Sequence, residues 1–361
     1  MKKFTNVWMG IVLISVVFGC RPGTGGHRTI LNVSYDPTRE LYAEINEEFT
    51  AYWRQTKNET VEIEQSHGGS GSQARKVLDG SPADVVTLAL GYDIDVLCGE
   101  RQLLAENWQT RFPENSCPYT STIVFLVRKG NPKNIKDWDD LVRDGVQIVT
   151  PNPQTSGGAR WNYLAAWGYV LKRELGDFAA LHDPSRAEDV AKAQAKARDF
   201  VAEMFSSRHV SAMDTGARGA ANRFAKNGQG DVLLAWENEA LLYTSRQDGE
   251  AFEIVIPSIS ILAEPPAAVV DRVADKRGTR DLAEAYLAFL YTDKAQNIIA
   301  KHHYRPRNAA VAAEYASKFP PLELFTIDEV FGGWKKTQPE HFGKEGIYSR
   351  MMEQTGQKTP L

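Results

Sequence analysis

The sequence has few of the residue patterns that carry metal or nucleoside-triphosphate chemistry. Its 361 residues include seven histidines, and none of them stand in an H-x-x-x-H or H-E-x-x-H pattern. No G-x-x-x-x-G-K-[ST] loop is present either, which excludes the usual P-loop phosphate site. We therefore expect no metal and no cofactor.

The sequence also lacks an excess of positive charge, with 42 Lys and Arg against 46 Asp and Glu. The formal net charge is −4 at pH 7, so bulk charge gives no attraction for nucleic acid, and we expect no nucleic-acid partner. An acidic protein attracts no anion over long range. Any anion site in this chain must therefore work by local geometry.

Beyond the first twenty residues, the sequence has no apolar run long enough to span a membrane. The first twenty are different, because Lys2 and Lys3 precede an apolar run over 7–18 and Gly19 follows it. This pattern is typical of a signal peptide, here over residues 1–19. We therefore expect an exported, periplasmic protein.

Cysteine is scarce, with three residues at positions 20, 98 and 117. The segment VFGC resembles a bacterial lipobox and makes Cys20 a candidate for lipidation, with an ordinary signal peptide as the alternative. The Gly-rich residues that follow predict a flexible tether over 20–29. In an exported protein, the remaining pair Cys98 and Cys117 predicts a disulfide, with two free buried thiols as the alternative.

What the sequence does have is a repeated order of strand and helix signals. Apolar runs at 30–36, 83–90 and 121–127 predict buried strands, and helix-like segments follow most such runs. Asp36-Pro37 predicts a helix start with Asp36 as the N-cap. This alternation predicts an α/β fold with mostly parallel sheets.

Five strand-to-helix turns share one design, in which an apolar strand ends and small or polar residues open a helix. They are YDP (35–37), SHGGSG (66–71), TSGGAR (155–160), TGARG (215–219) and AWEN (235–238). Open α/β sheets bind ligands at such turns, and a helix N-terminus offers unpaired N–H groups to an anion. One turn alone indicates only helix capping, but five together predict an anion site.

The turn at 155–160 shows this chemistry most clearly. Gly157 and Gly158 have no Cβ, so their backbone can approach an oxyanion closely. The Ser156 hydroxyl adds a donor. At another strand end, the indole N–H of Trp236 is a further single donor.

Two other patterns leave alternatives open. Residues 69–74 fit G-x-G-x-x-A after a strand, with Asp93 at a plausible distance for a ribose contact, so spacing alone permits a dinucleotide site. Glu237 and Glu239 permit paired acid/base carboxylates, although two acids in the first turn of a helix also suit its positive end.

A hydrolase is the third alternative. It would use Ser70 or Ser156 as the nucleophile and His67 as the base, but the sequence offers no evident acid partner and no G-x-S-x-G elbow. We expect instead a protein that is not an enzyme.

Several long motifs resemble one known family closely, the periplasmic sulfate/thiosulfate-binding proteins of ABC importers. They recur in order from about residue 30 to about residue 345: VSYDPTRELY, SHGGSGSQA, ADVVTLAL, PYTSTIVFLVRKGNPK, TPNPQTSGGARWNYLAAWGY, GARG, AWENEALL and LFTIDEVFGGW. The chain differs from the family in a longer polar stretch at 172–200, in Cys98 and Cys117, and in the candidate lipid anchor.

The resemblance implies a two-lobed type 2 periplasmic-binding fold with the ligand in the cleft between the lobes. Two crossover strands are expected near 117–124 and 258–268. The resemblance also implies that lobe 1 covers 30–118 and 265–345, that lobe 2 covers 119–264, and that a C-terminal tail covers 346–361.

The resemblance also implies the ligand donors and the partners. The donors would be the backbone N–H groups of Asp36, Ser70, Gly157, Gly158 and Ala217, with the Ser156 hydroxyl and the Trp236 indole. His67, Arg160 and Arg218 would steady the donor loops without contacting the anion.

The expected ligand is sulfate, with thiosulfate or both as the alternative. The expected partners are an inner-membrane ABC permease and its ATPase, and the receptor itself is expected to be a monomer. We expect the Asp36 carboxylate to cap its own helix, so that only its N–H faces the ligand.

Overall fold

The computed structural model describes residues 27–99, 101–246 and 249–354. The predicted signal peptide over 1–19, Cys20 and most of the predicted tether lie outside the described residues. The predicted C-terminal tail is described as far as residue 354.

Strands and helices alternate along much of the described chain. The strands are β1 (Arg28–Tyr35), β2 (Val61–Gly68), β3 (Val85–Thr87), β4 (Tyr119–Thr120), β5 (Ile123–Arg128), β6 (Ile148–Pro151), β7 (Val210–Asp214), β8 (Val232–Trp236), β9 (Phe252–Val255), β10 (Ile259–Ile261), β11 (Ala267–Val269), β12 (Arg305–Pro306) and β13 (Glu323–Phe325).

The helices vary from single turns to about five turns. They are α1 (Arg39–Lys57), α2 (Ser70–Leu78), α3 (Gly91–Cys98), α4 (Pro113–Ser116), α5 (Gly157–Leu175), α6 (Ala187–Met204), α7 (Ala217–Ala225), α8 (Glu237–Thr244), α9 (Asp271–Arg277), α10 (Arg280–Phe289), α11 (Asp293–Lys301), α12 (Ala309–Glu314), α13 (Ile327–Phe331), α14 (Trp334–Thr337) and α15 (Ile347–Gln354). None of these described helices is both long and apolar enough to cross a membrane.

Two mostly parallel sheets organise the fold. The first has the order β11-β3-β1-β2, with β1, β2 and β3 parallel and β11 antiparallel at one edge. The second has the order β7-β6-β8-β5-β9, with β6, β7 and β8 parallel and β5 antiparallel to both of its neighbours. The predicted α/β class is confirmed.

The chain passes between the sheets twice, at neighbouring places. It leaves the first sheet through β4 and returns between β10 and β11, and Ser121 pairs antiparallel with Ala263 where the two passages meet. Their backbone groups exchange hydrogen bonds of 3.0 and 2.9 Å. Both passages lie within the segments where crossovers are expected.

The C-terminal part of the described chain packs on β10 and on helix α5. Strand β13 pairs with β10, and His341 lies against Tyr163 and Trp167 of α5. The lobe boundaries given in the sequence analysis stay a prediction.

The predicted disulfide is not formed, and that prediction is wrong for this structure. Cys98 ends α3, and its thiol contacts the carbonyl oxygens of Ile94 and Ala105. Cys117 lies beside the crossover, where its thiol donates to the carbonyl oxygen of Glu264 at 3.5 Å. Burial raises the pKa of both thiols, that of Cys98 to about 11, which favours the protonated form.

Candidate anion-binding site

A small cavity lies where strands of both sheets end. Tyr35 is the last residue of β1, Gly68 of β2 and Trp236 of β8. The cavity is lined by Tyr35, Asp36, Pro37, Gly68, Gly69, Ser70, Ala89, Ser156, Gly157, Gly158, Ala217 and Trp236. The structure therefore brings together every residue that the sequence analysis names as a donor.

Three helices begin at this cavity without a side-chain cap. Helix α2 starts after Gly69, α5 after Ser156 and α7 after Gly216, and none of these residues caps its helix through a side chain. The N–H groups of the first turn have no intrahelical acceptor, so those of Gly157 and Ala217 are available to a ligand. The positive ends of three helix dipoles thus meet at one point.

Two side chains add donors to the backbone groups. The indole of Trp236 is 2% exposed, and its Nε1 has no hydrogen-bond partner among the described residues. A buried donor without a partner is rare and costs about 1–3 kcal/mol, so this N–H fits a ligand acceptor. The hydroxyl of Ser156, at the start of α5, makes no cap bond.

The two glycines that open α5 are required by close packing. A Cβ at Gly157 would lie 2.6 Å from the Ala89 Cβ and 3.3 Å from the Ser70 Cβ. A Cβ at Gly158 would overlap the Trp236 indole. Any larger residue at either position would push the walls of the cavity apart.

Ser70 is held by a buried network. Its hydroxyl donates to Asp93 Oδ2 at 2.5 Å and accepts from the Ala89 N–H at 2.9 Å. Arg160 of α5 donates to the other Asp93 oxygen at 3.3 Å and to the Pro153 carbonyl at 2.8 Å. Burial raises the pKa of Asp93, and Arg160 and the Ser70 hydroxyl act against this.

The same network argues against both the dinucleotide site and the hydrolase. Asp93 is buried, and its two carboxylate oxygens accept hydrogen bonds from Ser70 and Arg160, so neither is free to bind a ribose. The cavity has about 170 Å³ of empty space counted out to its mouth, far too little for a dinucleotide. The Ser70 hydroxyl donates to Asp93 and not to His67, so the serine–histidine pair of the hydrolase alternative is not formed in the described chain.

His67 also takes no part as a base. Its ring nitrogens contact the Tyr35 carbonyl at 3.4 Å and Gln65 Oε1 at 2.5 Å, and neither contacts Ser70. Burial lowers the pKa of His67 to about 4, so the ring is neutral at neutral pH. His67 therefore supports the end of β1 rather than carrying charge to the site.

Arg218 joins helices from the two halves of the fold. It makes paired hydrogen bonds to Glu40 of α1, at 2.9 and 2.8 Å, and to Glu239 of α8, at 2.9 and 2.8 Å. Like His67 and Arg160, it does not line the cavity. Arg218 occupies the second residue of α7, so these four bonds fix the helix start that offers the Ala217 N–H.

The two acids of α8 have a role that the sequence analysis missed. Glu237 and Glu239 do lie in the first helical turn, but both are buried and each is paired with an arginine. Glu237 accepts two hydrogen bonds of 2.7 Å from Arg305. The position of two acids directly after a fully apolar strand could have indicated these buried ion pairs, because buried carboxylates require cationic partners.

The predicted cap at Asp36 is wrong. A single turn of 3₁₀-helix begins at Asp36 itself, Tyr35 is its N-cap residue, and no side chain caps it. Because Asp36 lies inside the first turn, its carboxylate is within reach of Arg39 and accepts a hydrogen bond of 2.8 Å from it.

Comparison with known proteins assigns the class. The chain matches the model of the bacterial extracellular solute-binding protein family over residues 30–305 and belongs to that family. It has the two-lobed type 2 periplasmic-binding fold expected from the sequence.

Several individual relatives are named for the anion that they bind. The sulfate-binding protein of Salmonella typhimurium is 55% identical over 322 residues, which cover 89% of this chain and 92% of the relative. The thiosulfate-binding protein of Pseudomonas aeruginosa is 46% identical, covering 89% and 91%. A solved structure, the sulfate-binding protein SubI of Mycobacterium tuberculosis, matches with a TM-score of 0.75 at 32% identity, covering 88% of this chain and 100% of that one.

Proposed function

We propose that this protein is an extracellular receptor that captures sulfate and delivers it to an ABC permease and its ATPase. It performs no chemistry on the ligand. The observation that carries the proposal is the meeting of three uncapped helix N-termini and the unpaired Trp236 indole at one small cavity. The names of the sulfate-binding and thiosulfate-binding relatives support the same ligand class.

The donor set is large enough to replace the hydration of a dianion. It comprises the N–H groups of Asp36, Ser70, Gly157, Gly158 and Ala217, the Ser156 hydroxyl and the Trp236 indole. Each hydrogen bond to a charged acceptor contributes about 1.5–3 kcal/mol. A set of this size can offset the dehydration cost and leave micromolar binding or tighter, about −8 kcal/mol.

A site made of donors also selects against protonated oxyanions. Sulfate carries no proton at pH 7, whereas monohydrogen phosphate carries one O–H group that would face other donors. An unpaired buried O–H costs about 1–3 kcal/mol. Asp36 is the one carboxylate that lines the cavity, and its hydrogen bond from Arg39 supports the proposal that it does not accept a ligand proton.

Thiosulfate is the second candidate ligand, alone or beside sulfate. It is also a tetrahedral dianion, and the 46% identical relative is named for it. The donor set alone does not rank the two anions, because three of the four outer atoms are the same.

The location and anchoring follow the same proposal. We place the receptor in the periplasm, which the extracellular location of its family supports, and we propose that it is a monomer. Lipid anchoring through Cys20 stays a proposal, and intact-mass measurement of the native protein would detect the added lipid.

Calorimetric titration with sulfate, thiosulfate and phosphate at one pH and ionic strength tests the function. We expect sulfate to bind at micromolar concentration or below and phosphate to give no measurable heat. Phosphate binding as tight as sulfate binding would show that the Asp36 carboxylate faces the ligand and would refute the sulfate assignment. Heat from none of the three anions would refute the receptor itself.

A further inference from the structure

A second cavity lies directly behind Trp236. It shares Gly158, Ala217 and Trp236 with the anion cavity, so these three residues form a wall between the two spaces. Its other lining residues are Pro151, Asn162, Ala221, Leu233, Leu234, Ala235 and Glu239. On the opposite wall of the anion cavity, Gly157 packs on Ala89 and Ser70.

The space behind the indole is apolar and small. It has about 230 Å³ of empty space counted out to its mouth, similar to the 170 Å³ of the anion cavity. An ordered buried water usually has two to four polar partners. Among the polar groups that line this cavity, Asn162 Oδ1 has no hydrogen-bond partner in the described chain, whereas the Glu239 carboxylate already accepts from Arg218. The cavity therefore offers few partners to a water molecule.

No hydrogen bond from the described chain fixes the Trp236 ring. Its Nε1 is unpaired, and the ring is held by packing, with the Tyr35 ring at a centroid distance of 5.5 Å. By contrast, the Ser70 hydroxyl is locked between Asp93 and the Ala89 N–H. The Trp236 indole is thus the part of the anion site that can move, because packing alone holds it and a cavity lies behind it.

We propose that the anion site accommodates a tetrahedral dianion with one oversized atom, such as thiosulfate, by letting the Trp236 indole recede into the cavity behind it, and that Ala221 sets the limit of this movement. The inference rests on the proposed function, because it concerns the ligand range of the same site. Sulfur is a weaker hydrogen-bond acceptor than oxygen. Gly158 and Ala217 offer backbone N–H groups at the same wall, but the indole is the donor there with a cavity behind it. The terminal sulfur therefore fits best against the indole.

Filling the second cavity tests this inference. Ala221 is buried on α7, and the variant Ala221→Val places extra carbon in the space behind the indole. We expect thiosulfate affinity to fall about tenfold, while sulfate affinity changes less than about threefold. Ala225→Val is the matched control, since Ala225 ends the same helix and lines neither cavity.

Ala221→Cys is a smaller filling that keeps the test usable if the valine variant does not fold. Equal loss of both affinities, or an unchanged ratio in a folded variant, would overturn the inference. Wild-type protein that binds sulfate but not thiosulfate would also overturn it and leave the receptor function intact. Wild-type protein that binds neither anion would refute the proposed function instead.

A structure of the thiosulfate complex gives an independent test. We expect the terminal sulfur to lie nearest Trp236 Nε1, with the indole displaced away from Tyr35. A terminal sulfur beside Gly157 or Ser70 would contradict this placement of the sulfur.

Discussion

Replacing Trp236 with phenylalanine isolates one donor of the proposed site. The indole is buried, and its Nε1 has no partner within the described chain, so the substitution removes no hydrogen bond of the protein itself. The phenyl ring keeps most of the contact with Tyr35. The bond lost to a bound dianion is worth about 1.5–3 kcal/mol, so sulfate should bind roughly 10- to 150-fold more weakly.

Trp138→Phe is the matched control for this prediction. Trp138 is also fully buried, but its indole N–H donates to the Ile259 carbonyl at 2.9 Å, away from the cavity. Both variants lose the same volume. We expect Trp138→Phe to lower the free energy of unfolding by about 1–3 kcal/mol more than Trp236→Phe, because it leaves a carbonyl unpaired, and to leave sulfate affinity unchanged.

Calorimetry for affinity and urea denaturation for stability separate the two effects. If Trp236→Phe binds sulfate within about twofold of wild type, the indole does not contact the anion and the donor set is wrong. If both variants lose affinity in proportion to stability, the loss reports loosened packing rather than a missing donor.

Three further predictions concern Ser156, Arg218 and His341. Ser156→Ala should weaken sulfate binding by about 1.5–3 kcal/mol in calorimetry without lowering stability, since the hydroxyl does not cap α5; a lower unfolding midpoint would contradict this. Arg218→Met leaves Glu239 buried without its cation and should cost about 3–5 kcal/mol in denaturant unfolding, largely restored by adding Glu239→Leu. Burial lowers the pKa of His341 to about 4, below the usual value of about 6.5, so the unfolded chain takes up the proton first as pH falls. Stability is then lost below pH 6.5, by about 2 kcal/mol between pH 7 and pH 5, and His341→Gln should remove that part of the pH dependence.

Much of the site could be predicted from the sequence because its donors belong to the backbone. A Gly-rich turn after an apolar strand fixes both a helix start and the absence of Cβ atoms, and both features are local. These local features predicted the place of Gly157 and Gly158, whereas Ala217 was named through the family resemblance. The structure places all of them at one cavity, although their role as ligand donors stays a prediction.

The side-chain partners were harder to predict, because they join distant parts of the chain. Arg218 and Glu40 are separated by 178 residues, and Arg305 and Glu237 by 68. Spacing in sequence carries no information about such pairs. The acids of α8 were accordingly interpreted as first-turn charges, whereas in the fold they are buried members of ion pairs.

Two predictions were wrong, the helix cap at Asp36 and the disulfide, because other nearby groups bond to these side chains instead. Asp36 was expected to cap a helix, but the turn begins one residue earlier than Pro37 suggests, and Arg39 then lies within reach of the carboxylate. Cys98 and Cys117 were paired by counting, but Cys98 ends α3 whereas Cys117 lies between α4 and β4, and each thiol contacts backbone carbonyl oxygens instead.

The sequence by itself determined the α/β class, the position of the strand-to-helix turns and the donor chemistry of each turn, because propensity, capping and missing Cβ atoms act within a few residues. Only the tertiary structure decided that these turns meet, that the Trp236 indole is left unpaired at their meeting point, and that a second cavity lies behind it. Those features depend on how two sheets and their helices pack, and packing is set by contacts between residues far apart in the chain.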